Sequence, residues 1–219
     1  MKFDEVYLSK EVYFCPEHSG GMEECLKNFH VEPCEALDIG AGEGRNSLYL
    51  TANGFKVAAV EPSLVGARKI QENAKKHGLD ISVINSDFLM ASAAMSNKGF
   101  VVALTSLEHM DYEYLCESIE EIKRLLAPGG YFYAIVFTEE DPGFMRDCAN
   151  ASECAMFVRH YFKKNELRRF FSDFEILVYK EYVKEDNTHG YAHYHGKAKI
   201  FARKPQNWER RAENGLQRN

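Results

Sequence analysis

Between Ala36 and Thr138, short apolar runs alternate with segments whose apolar residues recur every three or four positions. The first pattern reads as buried strands and the second as amphipathic helices, so the chain predicts a strand–helix repeat and a mostly parallel sheet covered on both faces. Ala36–Ile39 is the first predicted strand; a glycine turn and a helix from about Arg45 to Asn53 follow, stopped by Gly54. Lys56–Val60 is the second, ending at Glu61-Pro62 because proline cannot continue a ladder. Ser63 is placed to cap a helix over 64–77, which His77-Gly78 closes. Ile81–Ile84 and the wholly apolar Phe100–Thr105 are the third and fourth strands. Leu115, Ile119, Ile122, Leu125 and Leu126 fall at helical spacing, which predicts a helix over 112–127; Pro128-Gly129-Gly130 ends it and releases a fifth strand, Tyr131–Thr138.

A helix over 163–172 then leads to two late strands, Glu175–Val183 and Ala198–Arg203. The segment joining them has no room for a helix, so these two are expected to run antiparallel. Residues 1–33 lie outside the repeat. There Ser19-Gly20-Gly21, followed by Met22, Cys25, Leu26 and Phe29, predicts a helix packed over the open end of the sheet as a lid. The α/β domain is expected to span 34–204, with 205–219 a polar, frayed tail.

With 219 residues, 45% of them hydrophobic and 27% charged, the chain suits one folded α/β domain. A net charge of −6 gives no basic footprint for nucleic acid, which points to a small-molecule partner. No run approaches the roughly 20 apolar residues of a membrane helix, and Met1–Glu5 lacks the form of a signal peptide. Cysteines 15, 25, 34, 116, 148 and 154 occur singly, which suits reduced thiols in the cytoplasm rather than a disulfide framework or a zinc site. A monomer or homodimer is expected.

The chemistry concentrates at the ends of the predicted strands. Gly40, Gly42 and Gly44 make a G-x-G-x-G turn between strand and helix, a place where backbone N–H groups approach a ligand. The nicotinamide fingerprint requires a sixth-position glycine where this chain has Arg45. A bulky residue there suits a ligand without a pyrophosphate. Glu61 ends the second strand, where an acid accepts from ribose hydroxyls, and Asp87 follows the third, placed to accept from an adenine amine. All three features fall at carboxyl ends of strands, where open α/β sheets bind ligands.

The run Leu37–Leu50 (LDIGAGEGRNSLYL) resembles the cofactor motif of class I S-adenosylmethionine (SAM) dependent methyltransferases. Its Gly-Arg-Asn-Ser-Leu-Tyr-Leu portion, together with Glu166–Phe171 and Phe201–Lys204, is similar to the tellurite-resistance methyltransferases, and Leu126–Tyr131 matches the post-helix PGG of the wider superfamily. The resemblance implies a Rossmann-like, seven-stranded, mostly parallel sheet with an antiparallel last strand, helices on both faces and an N-terminal helical lid. It implies SAM as cofactor, with Gly40, Gly42 and Gly44 around the methionine part and Arg45 near its carboxylate. Glu61 would bind the ribose, and Asp87 with Phe88 would frame the adenine; many relatives carry Asp at the position of Glu61. Asp38 would reach the amino group or order the loop, and Ala41, Pro62 and Ser106 complete the implied set.

The expected activity is transfer of a methyl group from SAM to a small acceptor by in-line displacement, with a chalcogen oxyanion or a thiol among the candidates. A SAM-binding sensor or partner subunit without catalysis is the alternative. A nucleotide-cofactor oxidoreductase is disfavoured by Arg45 and by the terminal hairpin. His109, in the Thr105–Met110 segment after the fourth strand, is the candidate general base, with Glu108 in a structural or cofactor-side part. His189, His193 and His195 form a second cluster in the late hairpin, where His193 and His195 share a strand face. They can orient an acceptor, move a proton (His193) or bind a metal; no metal ligand is assigned from the sequence. Tyr13, Phe14, Tyr161 and Phe162 are the expected lid aromatics, Tyr13 on the substrate side; Arg168 and Arg169 read as a solvated helix face. Cys148 and Cys154 raise a minor metalloid-thiolate reading.

Overall fold

The strand–helix repeat closes into one sheet of seven strands in the order β3-β2-β1-β4-β5-β7-β6. The structure, a computed structural model, describes residues 2–9, 21–145, 157–186 and 193–208. Its strands are β1 (Glu35–Ile39), β2 (Lys56–Val60), β3 (Ser82–Ile84), β4 (Lys98–Leu104), β5 (Leu126–Phe137), β6 (Glu175–Asp186) and β7 (His193–Arg203). The first five are parallel, and β7 lies antiparallel between β5 and β6. The helices are α1 (Lys2–Ser9), α2 (Met22–Asn28), α3 (Arg45–Ala52), α4 (Leu64–His77), α5 (Phe88–Ser92), α6 (Tyr112–Leu125) and α7 (Glu166–Phe170).

The continuous apolar character of the central strands follows from a core on each face. Leu37, Val101, Ala103, Phe132, Ala134 and Ile200 pack with the apolar stripe of α6 and with Leu167 and Phe171. The alternate positions Ala36, Phe100, Val102, Tyr133 and Phe201 pack with Leu50 of α3 and with Met22, Cys25 and Leu26 of α2. The predicted caps form: the Ser63 side chain accepts from Gly66 N, and Gly78 closes α4 at φ 64°. Among the described residues no helix is long and apolar enough to cross a membrane.

Three expectations change. The 22–28 helix covers a sheet face rather than the open end, because its i, i+3, i+4 apolar stripe finds its partner surface on β1, β4, β5 and β7. The element at the open end is α1. The Pro128-Gly129-Gly130 run does not precede a strand but lies within β5, whose Leu126 already pairs with Lys98 before the register shifts. A Cβ on Gly130 would stand 2.9, 3.0 and 3.2 Å from the carbonyl oxygens of Ala127, Lys98 and Gly99, so glycine permits that close backbone approach. Finally, the late hairpin is longer than its apolar pattern, since backbone pairing continues through polar residues to Asp186 and His193. Gly130→Ala is expected to lower unfolding free energy by about 1–3 kcal/mol, because the crowding is against backbone that cannot rotate away. An unchanged denaturant midpoint in that variant would remove the close-approach argument.

Candidate functional site

The connection leaving β1 goes to β2 on one side, whereas β4 pairs on the other, so β1 and β4 flank the point where strand order reverses. Open sheets bind ligands at such a point, beyond the carboxyl ends of the strands. A cavity of about 1300 Å³ lies there. The glycine turn forms one wall: Gly40 (φ 66°) and Gly42 (φ 61°) adopt a left-handed backbone that side chains disfavour. A Cβ on Gly40 would come within 2.6 Å of Ser106 Cβ, so the turns after β1 and β4 abut directly. Ser106 Oγ, buried beside that contact, has no hydrogen-bond partner among the described residues.

Glu61 holds the turn in place. Its Oε2 accepts from Gly42 N at 2.7 Å and its Oε1 from Ser63 N at 2.8 Å. Burial pushes its carboxyl up to about 7 against the pull of those two N–H groups. Asp87 reaches the cavity wall and also caps α5, its Oδ1 accepting from Leu89 N at 3.0 Å and from the Tyr114 hydroxyl. Ala41, Arg45, Pro62 and Phe88 stand on the same wall.

Two expected cofactor residues do not. Asp38 lies beneath the turn and accepts from Ser47 Oγ at 2.6 Å, so it orders the joint between β1 and α3. Burial raises it to about 6, against the opposing effects of the Ser47 bond and the nearby Arg45 charge. Gly44 caps α3 and packs on Ile70 of α4, away from the cavity.

His109 is on the cavity wall, in the short 3₁₀ turn Leu107–His109. Its Nδ1 lies 3.1 Å from the Phe157 carbonyl oxygen. A carbonyl only accepts, so Nδ1 carries the proton and Nε2 keeps its lone pair. Burial lowers the imidazole pKa, which keeps the ring neutral near physiological pH. Glu108 turns the other way into the interior and is fully buried; burial raises it to about 8, against the pull of nearby backbone N–H groups.

His193 and His195 sit at the same edge of the sheet as the glycine turn, because β6 runs parallel to β5 and its hairpin turns back there. They are buried and absent from the cavity wall. Phe137 lines the cavity and stacks on His195 at 4.7 Å, with the two imidazoles behind it. Their expected roles as acceptor-side residues therefore lack direct access from the cavity. His189, Tyr13, Phe14, Cys148 and Cys154 lie outside the described residues. Phe162 is in the core and Tyr161 is off the wall; the aromatics that line the cavity include Phe3 and Tyr7 of α1, Tyr49, Phe88, Tyr114, Phe137 and Phe157.

Nothing in the sequence reading singled out α1. Asp4 Oδ1 accepts from Ser63 Oγ at 2.6 Å and Val65 N at 3.3 Å, and Lys69 Nζ reaches both Tyr7 O (2.6 Å) and Glu43 Oε1 (2.7 Å). The i, i+4 aromatic pair Phe3 and Tyr7 was the available signal for a helix facing a site.

This sheet order, with its antiparallel β7 and its cavity at the β1–β4 reversal, is the Rossmann-like fold of methyltransferases. Magnesium protoporphyrin IX methyltransferase (ChlM) from Synechocystis PCC 6803, solved with bound SAH, shares it at a TM-score of 0.61 and 18% identity, over 83% of this chain and 79% of that one. Residues 2–193 match the family described as tellurite resistance protein TehB, and the chain belongs to that family. It is 28% identical over 186 residues to the probable S-adenosyl-L-methionine-dependent methyltransferase TehB of Haemophilus influenzae, covering 82% of this chain and 60% of that protein. The crystal structure of TehB from Haemophilus influenzae superposes with a TM-score of 0.71 at 26% identity, over 85% of this chain and 62% of that one. The chain thus spans about 60% of the length of the curated relative.

Asp38, Glu61 and Glu108 all hold protons in the folded protein at pH values where unfolded carboxyls ionise. These three groups bind more protons folded than unfolded between the unfolded carboxylate range and about 8, so their contribution to stability falls as pH rises through that window. The lowered His109 and His195 contribute a rise below the ordinary histidine range. Glu108→Gln should flatten the upper part of the decline, between about 7 and 8. Urea unfolding of wild type and Glu108→Gln checks this, and profiles that run parallel between about 7 and 8 would contradict the assignment.

Proposed function

We propose that this chain is a SAM-dependent methyltransferase of small acceptors in the cytoplasm, binding SAM in the cavity at the β1–β4 reversal. The observation that carries this reading is the convergence of the glycine turn, Glu61 and Asp87 on one cavity from the ends of three adjacent strands. The residues fit the group: side chains at Gly40 and Gly42 would press on Ser106 and Tyr7 of the cavity wall, and the buried Ser106 hydroxyl has no partner among the described residues. In this assignment Gly40, Ala41 and Gly42 hold the methionine part, with Arg45 toward its carboxylate. Glu61 uses its remaining lone pairs for the ribose hydroxyls, and Asp87 with Phe88 and Pro62 frames the adenine. Asp38 and Gly44 support the turn from behind.

SAM, when bound, supplies an electrophilic methyl group on a sulfonium whose thioether leaves uncharged. The protein contributes position and exclusion of water. Phe3, Tyr7, Phe137 and Phe157 form the apolar wall, and such positioning supplies roughly 7–11 kcal/mol of a barrier. A base is needed only when the acceptor carries a proton that must leave. His109 Nε2 is the ring nitrogen with a lone pair for that proton. An oxyanion of tellurium or selenium, or a thiolate, needs none. The name of the TehB family supports testing tellurium oxyanions first.

Glu61→Ala is expected to weaken SAM binding by about 1–3 kcal/mol, or roughly 5- to 150-fold in Kd. Calorimetry giving wild-type affinity would remove the ribose assignment, and binding of NADH in place of SAM would overturn the whole reading. Turnover of methyl-labelled SAM with tellurite, selenite, thiols and phenols then separates an enzyme from a SAM sensor.

His109→Gln should leave SAM affinity unchanged and slow methylation of protonated phenols or thiols by about 10²- to 10⁴-fold. Turnover of oxyanions should stay near wild type. Equal losses on both acceptor classes would make His109 a packing residue.

A further inference from the structure

Behind Phe137 lies a buried polar cluster that the proposed reaction does not use. Asp186, the last residue of β6, pairs directly with His193, the first of β7, and His195 follows two residues later on the same face. Each residue turns one potential ligand atom inward, and these atoms lie within 4.8 Å of one another. The two imidazole Nε2 atoms are 3.1 Å apart. Two nitrogens bound to one ion at about 2.0–2.1 Å and separated by that distance subtend about 95–100°, between the octahedral and tetrahedral angles.

The surroundings orient the set. Asp141, itself buried, accepts at Oδ2 from His195 Nδ1 at 2.9 Å and from Gly196 N at 3.2 Å, while its Oδ1 accepts from Gly143 N at 2.8 Å. A carboxylate held by two backbone N–H groups can only accept, so His195 carries its proton on Nδ1 and presents the Nε2 lone pair to the cluster. A carboxylate behind the distal nitrogen is the arrangement that fixes tautomer and ring orientation in metal-bound histidines. Asp186 and Asp141 supply the acidic groups there, with Lys197 also close to both, and the Phe137 ring closes the region. The N₂O donor set suits zinc-like first-row ions better than calcium or magnesium, which take oxygen.

We propose that Asp186, His193 and His195 form a site for one divalent first-row transition ion, zinc being the reference, with Asp141 orienting His195. The ion joins the ends of β6 and β7 to the segment after β5, and so fixes the strand that backs the cavity wall. The competing arrangement is a metal-free chain in which His193 donates to His195 and His195 to Asp141. This inference does not depend on the SAM assignment.

The test is metal content and metal titration of the whole chain, with folding of each variant checked by circular dichroism. Purified protein exchanged against Zn²⁺ and desalted should hold one ion per chain by mass spectrometry, and EDTA should lower its Tm. Co²⁺ in place of zinc should give visible d–d absorption that His195→Gln abolishes. Asp141→Asn should weaken Zn²⁺ binding by about 10- to 100-fold without eliminating it. Should His195→Gln fail to fold, the more peripheral Asp186→Asn is expected to weaken Zn²⁺ binding and change the Co²⁺ spectrum. Wild-type protein that retains no ion, with a Tm indifferent to Zn²⁺ and EDTA, overturns the proposal in favour of the hydrogen-bonded chain. So does Zn²⁺ binding that persists unchanged in all three variants.

Discussion

The Glu61 carboxylate ties the end of β2 to the glycine turn after β1 through Gly42 N and to the start of α4 through Ser63 N. Together with the Gly40 and Ala41 N–H groups donating to Val60 O, these bonds fix three backbone segments around one buried group. The turn's N–H groups are taken up within the protein, Gly40 and Ala41 donating to Val60 O and Gly42 to Glu61, and its glycines' conformational freedom makes the turn costly to order. A charge-accepting side chain at the next strand end offsets that cost locally. Burial raises the carboxyl to about 7, which leaves Glu61 sensitive to whatever hydroxyl or cation enters the cavity.

The same corner is closed from above by α1. Its Asp4 shares the Ser63 hydroxyl, and Lys69 bridges Tyr7 O to Glu43. Lys69 and Glu43 are both largely buried, so breaking their pair would leave a charge away from water. The Tyr7 hydroxyl lies 3.2 Å from the position a Gly42 Cβ would take, so α1 rests on the turn itself. Lid, turn and acid thus form one connected unit, in which movement of α1 bears directly on the shape of the cavity wall.

At the other side of the cavity, Phe137 separates two polar environments. The His109 side faces the cavity, whereas Asp141, His193 and His195 are sealed behind the ring. Hydrogen bonding inside the sealed side is directional at His195, since Asp141 takes its Nδ1 proton. That bond fixes the tautomer and ring orientation of His195.

The sequence by itself determined the strand–helix alternation, the two-faced core and the placement of Gly40, Gly42, Glu61, Asp87 and His109 at strand ends. These follow from periodicity and local turn chemistry, which act over neighbouring residues. It also carried the antiparallel ending, because a short connection cannot cross a sheet. Only the tertiary structure decided which way side chains at those ends face. Asp38 turns under the loop, whereas Glu61, two strand positions away in pairing but on a turn, reaches the wall. The role of α1, the burial of His193 and His195, and the closeness of Asp141 to a residue 54 positions later are long-range packing outcomes. No local pattern encodes them, since each depends on a surface assembled from distant segments.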